Sequence, residues 1–243
     1  MDKKTLSIVA VAINNLEVNK RFVSSVRQYT NGKYELVLID NGSTDKKSIE
    51  FFKLNADKYF RFNKTVSLSK AWNKGIQISS GQYVAVVNND TVVSPNWFLP
   101  LKQTLDNNKK AGMVSPLTLW MMQSLFGNAL IKKLDKKFEI PYKLRKFKDV
   151  VWGEFMLFKR KALKEVGGFS ELYERASGED LEIVFQLYSK GFDIYVDPRV
   201  FIYHEGGRSQ TPDIISKETR DKYWDKNWKL FLSRWPKYTK GWK

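Results

Sequence analysis

The chain of 243 residues contains no cysteine, which excludes a disulfide framework, a thiolate metal site and a thiol nucleophile. A reducing cytoplasm is the expected setting. No stretch reaches the ~20 apolar residues that a bilayer span requires, so a soluble or peripheral protein is expected, and no internal repeat or low-complexity segment stands out. Acidic residues are scarce beside basic ones, 26 Asp and Glu against 42 Lys and Arg, for a formal charge of +16. That balance points to an anionic partner: nucleic acid, a membrane surface or a phosphorylated substrate.

What is present suits a packed fold. An apolar content of 42% can form a sizeable core, read as one domain with appendages. Residues 6–13 follow Lys3 and Lys4 and imitate a short signal peptide, with Ala10 and Ala12 supplying its small-residue pattern. The run is short and leads straight into an amphipathic helix, so it reads as a buried strand. Further strands are expected at 34–39, 59–62, 83–87 and 150–158. Between the first two, Val18, Phe22, Val26 and Tyr29 form a helical stripe closed by Asn31-Gly32. Ser43 or Thr44 is expected to cap the next helix, Gly75 lies on a third with Ile76 and Ile78, and Ser94-Pro95 opens a fourth. The alternation predicts an α/β fold with a mostly parallel central sheet flanked by helices. The second half changes character. Apolar side chains crowd residues 119–134, and a cationic stretch covers 132–148. Gly167-Gly168 closes a short helix, and Gly178-Glu179-Asp180 opens another that ends before Gly191.

Asn88-Asn89-Asp90 follows the apolar run 83–87, which delivers a carboxylate where a buried strand runs out. Open α/β sheets bind ligands at that edge. Asp90 is the hard oxygen ligand that Mg²⁺ or Mn²⁺ prefers, and a cation there would neutralise a departing diphosphate; the plain alternative is a loop. His204, the chain's one histidine, could add a nitrogen ligand, although a lone histidine is more often an ordinary packed residue. Asp40 follows the second strand in Asp40-Asn41-Gly42-Ser43-Thr44-Asp45, where it either accepts hydrogen bonds from a nucleoside or caps a turn. Glu179 and Asp180 would stand at a helix N-terminus, where partial positive charge favours carboxylates. As chemistry, one of them would take the proton of an attacking hydroxyl, and spacing does not decide which.

Near the C-terminus, Trp224, Trp228, Phe231, Trp235, Tyr238 and Trp242 recur at spacings of three and four, with a break at Pro236. Lys222, Lys226, Lys229 and Arg234 fill other positions. The stripe either packs onto the rest of the chain or onto a second copy as a homodimer, or it lies on an anionic membrane interface. Residues 119–148 admit the same readings and a third, as a lid over an acceptor.

Taken in order, several motifs resemble family 2 glycosyltransferases of the GT-A fold, rhamnosyltransferase-like members among them, over residues 6–209. They are the first strand, Ile39-Asp40-Asn41-Gly42-Ser43-Thr44-Asp45, Ala71-Trp72-Asn73-Lys74-Gly75, Asn88-Asn89-Asp90, Arg160 with Gly167-Gly168-Phe169, and Gly178-Glu179-Asp180. The resemblance implies a cytoplasmic enzyme, peripheral at the inner face of the membrane. It would invert configuration while moving a sugar from a UDP- or dTDP-sugar to a glycan, lipid-linked or protein acceptor, with Mn²⁺ or Mg²⁺. It implies donor contacts from Ala12, Asn14, Asp40, Asn41, Asn73, Asn88 and Asn89, and metal contacts from Asp90 and His204. It further implies acceptor contacts from Trp152, Gly153 and Glu154, and a catalytic base at Asp180 with Glu179 beside it. Asn88 stands where the family's metal motif carries its first aspartate, which leaves Asp90 as the carboxylate. The implied organisation is a glycosyltransferase domain over 1–210, with a donor half at 1–115 and an acceptor half at 116–210, and a basic aromatic extension over 211–243.

Two rival classes remain. A non-enzymatic nucleic-acid-binding protein would use the positive charge and interleaved aromatics, but leaves Asp40, Asp90, Glu179 and Asp180 unexplained. A nucleotidyltransferase would normally show a Gly-rich phosphate loop early in the chain, and residues 10–16 contain no glycine.

Overall fold

The computed structural model describes residues 5–118, 141–149, 151–206 and 216–242. Its first half runs β1 (Leu6–Ala12), α1 (Leu16–Tyr29), β2 (Tyr34–Asp40), α2 (Lys46–Asn55), β3 (Lys58–Arg61), α3 (Leu68–Ile78), β4 (Tyr83–Asn88), β5 (Thr91–Val92) and α4 (Phe98–Asn107). There follow β6 (Ala111–Leu117), β7 (Tyr142–Lys143), β8 (Phe155–Lys159), α5 (Arg160–Val166), α6 (Glu179–Ser189), β9 (Asp193–Phe201), β10 (Tyr203–His204) and α7 (Lys217–Arg234). The main sheet has the order β3-β2-β1-β4-β8-β6-β9-β7. Its first four strands are parallel, β8 is antiparallel to β4 and β6, and β9 is again parallel to β6.

The strands are apolar on both sides because both faces of the sheet are covered. Along β1, Val9 and Val11 enter one core, while Ile8, Ala10 and Ala12 enter the other. The first core packs against Trp72 of α3, Phe185 of α6 and Phe231 of α7. The second is filled by Phe22 of α1, Phe52 of α2 and Leu101 of α4. The chain moves outward from β1 through β2 to β3, then returns across the sheet to β4 on the other side of β1. The carboxyl ends of β1 and β4 therefore diverge at a topological switch point, where an open sheet leaves a crevice.

Some local readings need correction. Asp45, not Ser43 or Thr44, caps α2, its carboxylate accepting the backbone N–H groups of Lys47 and Ser48. Ser43 is already engaged, its Oγ accepting the Asn14 N–H at 2.8 Å. Helix α4 starts at Phe98 rather than at Ser94-Pro95, because Asn96 takes a left-handed φ of 56° that breaks any earlier helical turn. Pro100 falls in its first turn, where a missing N–H costs nothing. Strand β8 begins at Phe155, later than expected. The apolar block 119–134 and most of the cationic stretch lie outside the described residues.

The aromatic stripe of α7 packs inward. Trp228 and Phe231 stack with centroids 5.7 Å apart, Trp242 lies edge-on to Phe185 at 5.8 Å, and Trp235 does so at 5.5 Å. Glu182 of α6, fully buried, anchors the helix by accepting from Arg234 Nε at 2.9 Å, Trp235 Nε1 at 2.6 Å and Tyr173 Oη at 2.8 Å. Much of the face that a membrane or a second copy would have used is thus taken up within the chain, while Trp224 and Tyr238 stay exposed. Among the described residues, no helix is long and apolar enough to cross a membrane.

Helix α3 lies unusually close to the sheet at Gly75, where an added Cβ would stand 2.3 Å from Val9 Cγ1. Val9 is wholly buried and has nowhere to go. In Gly75→Ala, a helix-propensity gain of about 1 kcal/mol is opposed by overpacking of about 1–3 kcal/mol. Because the clash is with a branched core side chain, net destabilisation is expected in urea unfolding, with the folded helix content unchanged.

Candidate active site

The crevice at the switch point is a cavity of about 780 Å³. The ends of β1 and β4 supply Val11, Ala12, Ile13, Asn88, Asn89 and Asp90; Trp152, Gly153 and Glu154 precede β8; Glu179 and Asp180 start α6; His204 and Glu205 come from and follow β10. The structure brings Asp90, His204, Glu154, Glu179 and Asp180 together on this one cavity.

Asp90 and His204 meet because β5 and β10 pair antiparallel, with His204 opposite Thr91. The Glu205 N–H donates to the Asp90 carbonyl at 3.0 Å and locks that register. Imidazole Nε2 lies 3.0 Å from Asp90 Oδ1, and Nδ1 lies 3.6 Å from Glu154 Oε1. Burial pulls the imidazole pKa down, but Asp90 and Glu154 outweigh it and push it up to about 9.

Asp180 is held from two sides. Its Oδ2 accepts the Gly153 N–H at 3.0 Å, and its Oδ1 accepts the Leu181 N–H at 2.9 Å. Burial raises its pKa despite these bonds. Glu179, buried beside it, is pushed up to about 8, first by burial and then by the charge of Asp180. Two neighbouring carboxyls in an apolar setting do not ionise together readily. Burial and their mutual repulsion both favour the pair holding a proton between them.

Other sequence candidates sit differently. Asn41 lines the cavity and braces its wall, exchanging hydrogen bonds with the backbone of Val66. Asn89 also lines it, donating to Asn19 Oδ1. Asp40 does not line the cavity: it is fully buried, accepting from Ser43 N at 2.7 Å, Arg61 Nε at 3.1 Å and Tyr59 Oη at 3.2 Å. Asn14 ties two loops, its Oδ1 accepting the Thr44 and Asp45 N–H groups. Asn73 faces a separate groove and braces the Gly167-Gly168-Phe169 turn, accepting the Phe169 N–H and donating to the Phe169 carbonyl. In this geometry Asp40, Asn14 and Asn73 shape the walls rather than reach into the cavity.

The sequence reading missed a set of lining residues: Trp72, Arg175, Ser177, Tyr223 and Trp224. Trp224 is 46% exposed and alone among the tryptophans of α7 looks into the cavity. Its place in the aromatic stripe was visible, but only the docking of α7 shows that it points away from the core.

The residues present fit a divalent cation: the hard oxygen of Asp90 and the imidazole of His204, which would give up its proton to the solvent on binding, are a donor pair such ions accept, and they already lie 3.0 Å apart. Among the described residues, no group of three or more His, Cys, Asp or Glu side chains is arranged to hold a metal. The pair therefore suits an ion that takes its remaining ligands from substrate and water.

A model of glycosyl transferase family 2 matches residues 7–167. The chain belongs to this family. A second model, described as glycosyltransferase (GlcNAc), matches residues 133–237. Among curated relatives, a poly-beta-1,6-N-acetyl-D-glucosamine synthase of Staphylococcus epidermidis is 24% identical over 209 residues, 82% of this chain and 49% of that protein. One from Staphylococcus aureus is 22% identical over 204 residues, 79% of this chain and 48% of its own. The chain thus spans about half the length of these relatives. A crystal structure of GalNAc-T7 with UDP, GalNAc and Mn²⁺ superposes with a TM-score of 0.68 at 22% identity, covering 99% of this chain and 52% of that one. The GT-A fold follows from that likeness together with the sheet order. Family membership also decides against the nucleotidyltransferase reading.

Gly153 packs closely on Asp180, since an added Cβ would lie 3.1 Å from Asp180 Cβ and 3.4 Å from Trp72 Cη2. Gly153→Ala is expected to displace Asp180 and weaken its bond to the Gly153 N–H, a charge-assisted contact worth about 1.5–3 kcal/mol. Turnover should fall by about tenfold or more in an assay of sugar transfer, with circular dichroism unchanged.

Proposed function

We propose that the protein is an inverting glycosyltransferase that moves a sugar from a nucleoside diphosphate donor to a hydroxyl of a saccharide acceptor. The observation that carries this reading is the convergence of Asp90 and His204 with Glu179 and Asp180 on one cavity at the carboxyl edge of the sheet. Asp180 takes the proton from the acceptor hydroxyl, whose oxygen attacks the anomeric carbon as the bond to the diphosphate breaks on the opposite face. The Gly153 and Leu181 N–H groups aim the two oxygens of Asp180. Glu179 keeps a proton, which spares the pair a second negative charge. Asp90 and His204 would hold a divalent cation, Mn²⁺ or Mg²⁺, which supplies neutralisation of the departing diphosphate.

Residues 1–115 are read as the donor half, with Ala12, Asn41, Asn88 and Asn89 along the donor side of the cavity. Residues 116–210 are read as the acceptor half, with 211–243 as its extension. A UDP-sugar is the preferred donor and UDP-N-acetylglucosamine the first to try, supported by the names of the staphylococcal relatives and by the UDP in the GalNAc-T7 structure. A glycan acceptor is supported by the aromatic wall of Trp152, Tyr223 and Trp224, because a sugar ring presents a face of C–H bonds that packs on an indole. An anionic membrane surface as neighbour is supported by the +16 charge, and a reducing cytoplasm by the absence of cysteine.

A thermal-shift series with UDP-N-acetylglucosamine, with and without Mn²⁺, tests the donor: stabilisation that requires the metal and disappears in Asp90→Ala is expected. Asp180→Asn should lower transfer by about 10²–10⁴-fold while retaining that shift, and near-normal turnover would remove Asp180 as the base. Trp224→Ala should raise the KM for a β-1,6-linked N-acetylglucosamine oligomer by about tenfold, the loss of one aromatic contact, and leave the donor KM unchanged.

A further inference from the structure

The loop that delivers Glu179 and Asp180 is held in an unfavourable backbone shape. Arg175 has φ 62°, Ser177 has φ 87° and Gly178 has φ 92°. Left-handed φ values at two residues that are not glycine are strained and persist only when the surroundings impose them. At Gly178 an added Cβ would come within 2.7 Å of Tyr173 Cε1 and 3.7 Å of Asn227 Cβ, so the ring of Tyr173 and, from the middle of α7, the side chain of Asn227 both close on this turn.

Asn227 is 1% exposed. Its Oδ1 accepts the Glu174 N–H at 3.2 Å, and its Nδ2 donates to the Glu174 carbonyl at 2.8 Å and the Ala176 carbonyl at 3.2 Å, with Ser177 Oγ at 3.5 Å. A buried asparagine that satisfies loop backbone groups on both its amide oxygen and its amide nitrogen acts as a strut for that loop. The same loop is fastened from the start of α3 by the Leu68 N–H, which donates to the Arg175 carbonyl at 2.6 Å. Arg175, Ala176 and Ser177 all face the cavity, so the strut ends one residue short of the helix that carries the catalytic pair.

We infer that Asn227 is a positioning residue for the reaction: from α7 it clamps residues 174–177 in their strained form and so sets where Asp180 stands. The consequence for catalysis rests on the function proposed above, whereas the clamp itself does not. Two readouts separate them. In hydrogen exchange, Asn227→Asp, which keeps the shape and the acceptor for Glu174 but loses both donors, should speed exchange at residues 173–179 while leaving the rest of α7 protected. In transfer assays with UDP-N-acetylglucosamine and Mn²⁺, Asn227→Asp and Asn227→Ala should each lower kcat by about 100-fold, as expected for a small misplacement of a catalytic group, with the donor KM unchanged. Trp242→Ala, which loosens α7 without touching the loop, is the control. Wild-type exchange at 173–179 in Asn227→Asp would overturn the clamp. Equal loss of kcat in Trp242→Ala and Asn227→Ala at equal loss of Tm would overturn the positioning role and leave Asn227 as packing only. Faster loop exchange in Asn227→Asp, together with no sugar transfer from this donor by the wild-type chain, would support the clamp and count against the proposed function instead.

Discussion

A two-residue antiparallel pair governs the geometry of the site. Thr91 stands opposite His204, and through that register a carboxylate at the end of β4 meets an imidazole delivered after β9. Without it, Asp90 would sit on a free loop and His204 on another. The pairing is short, yet it is fixed at both ends: β4 is buried between β1 and β8, and the Ile202 N–H donates to the Leu117 carbonyl at 2.9 Å. Rigid strands thus give a precision that loops alone would lack.

The electrostatics of the cavity run against those of the whole chain. The molecule carries +16, while Asp90, Glu154, Glu179, Asp180 and Glu205 gather in one crevice. An acidic concavity in a basic protein favours a cation inside and an anion in its surroundings. Burial adds a second effect: it raises the carboxyl pKa values at Glu179 and Asp180, which makes whichever carboxylate of the pair is ionised a stronger base than one in water.

The strands of the first half were legible because β1, β2 and β4 are buried on both faces and leave continuous apolar runs in the sequence. Strand β6 was not, since Gly112 and Pro116 break its pattern. The acidic residues of the site were legible from motif order, but their roles depended on distant partners. Asp40 looked ready for a ligand from its own neighbours, and only the parallel pairing of β2 with β3 puts Arg61 and Tyr59 on its carboxylate. Asn73 was drawn into bracing a turn nearly a hundred positions away. Trp224 and Trp228 look alike in sequence, and tertiary docking alone sends one into the core and the other into the cavity.

Helix α7 bears on how the chain comes to life during synthesis. Glu182 is wholly buried, and two of the three side chains that donate to it, Arg234 and Trp235, are translated long after it. Until they leave the ribosome, only Tyr173 is at hand for that carboxyl, so α6 can settle its apolar face on the sheet but leaves a buried polar group short of partners. The wall of the cavity that Tyr223 and Trp224 supply is therefore completed only once α7 arrives.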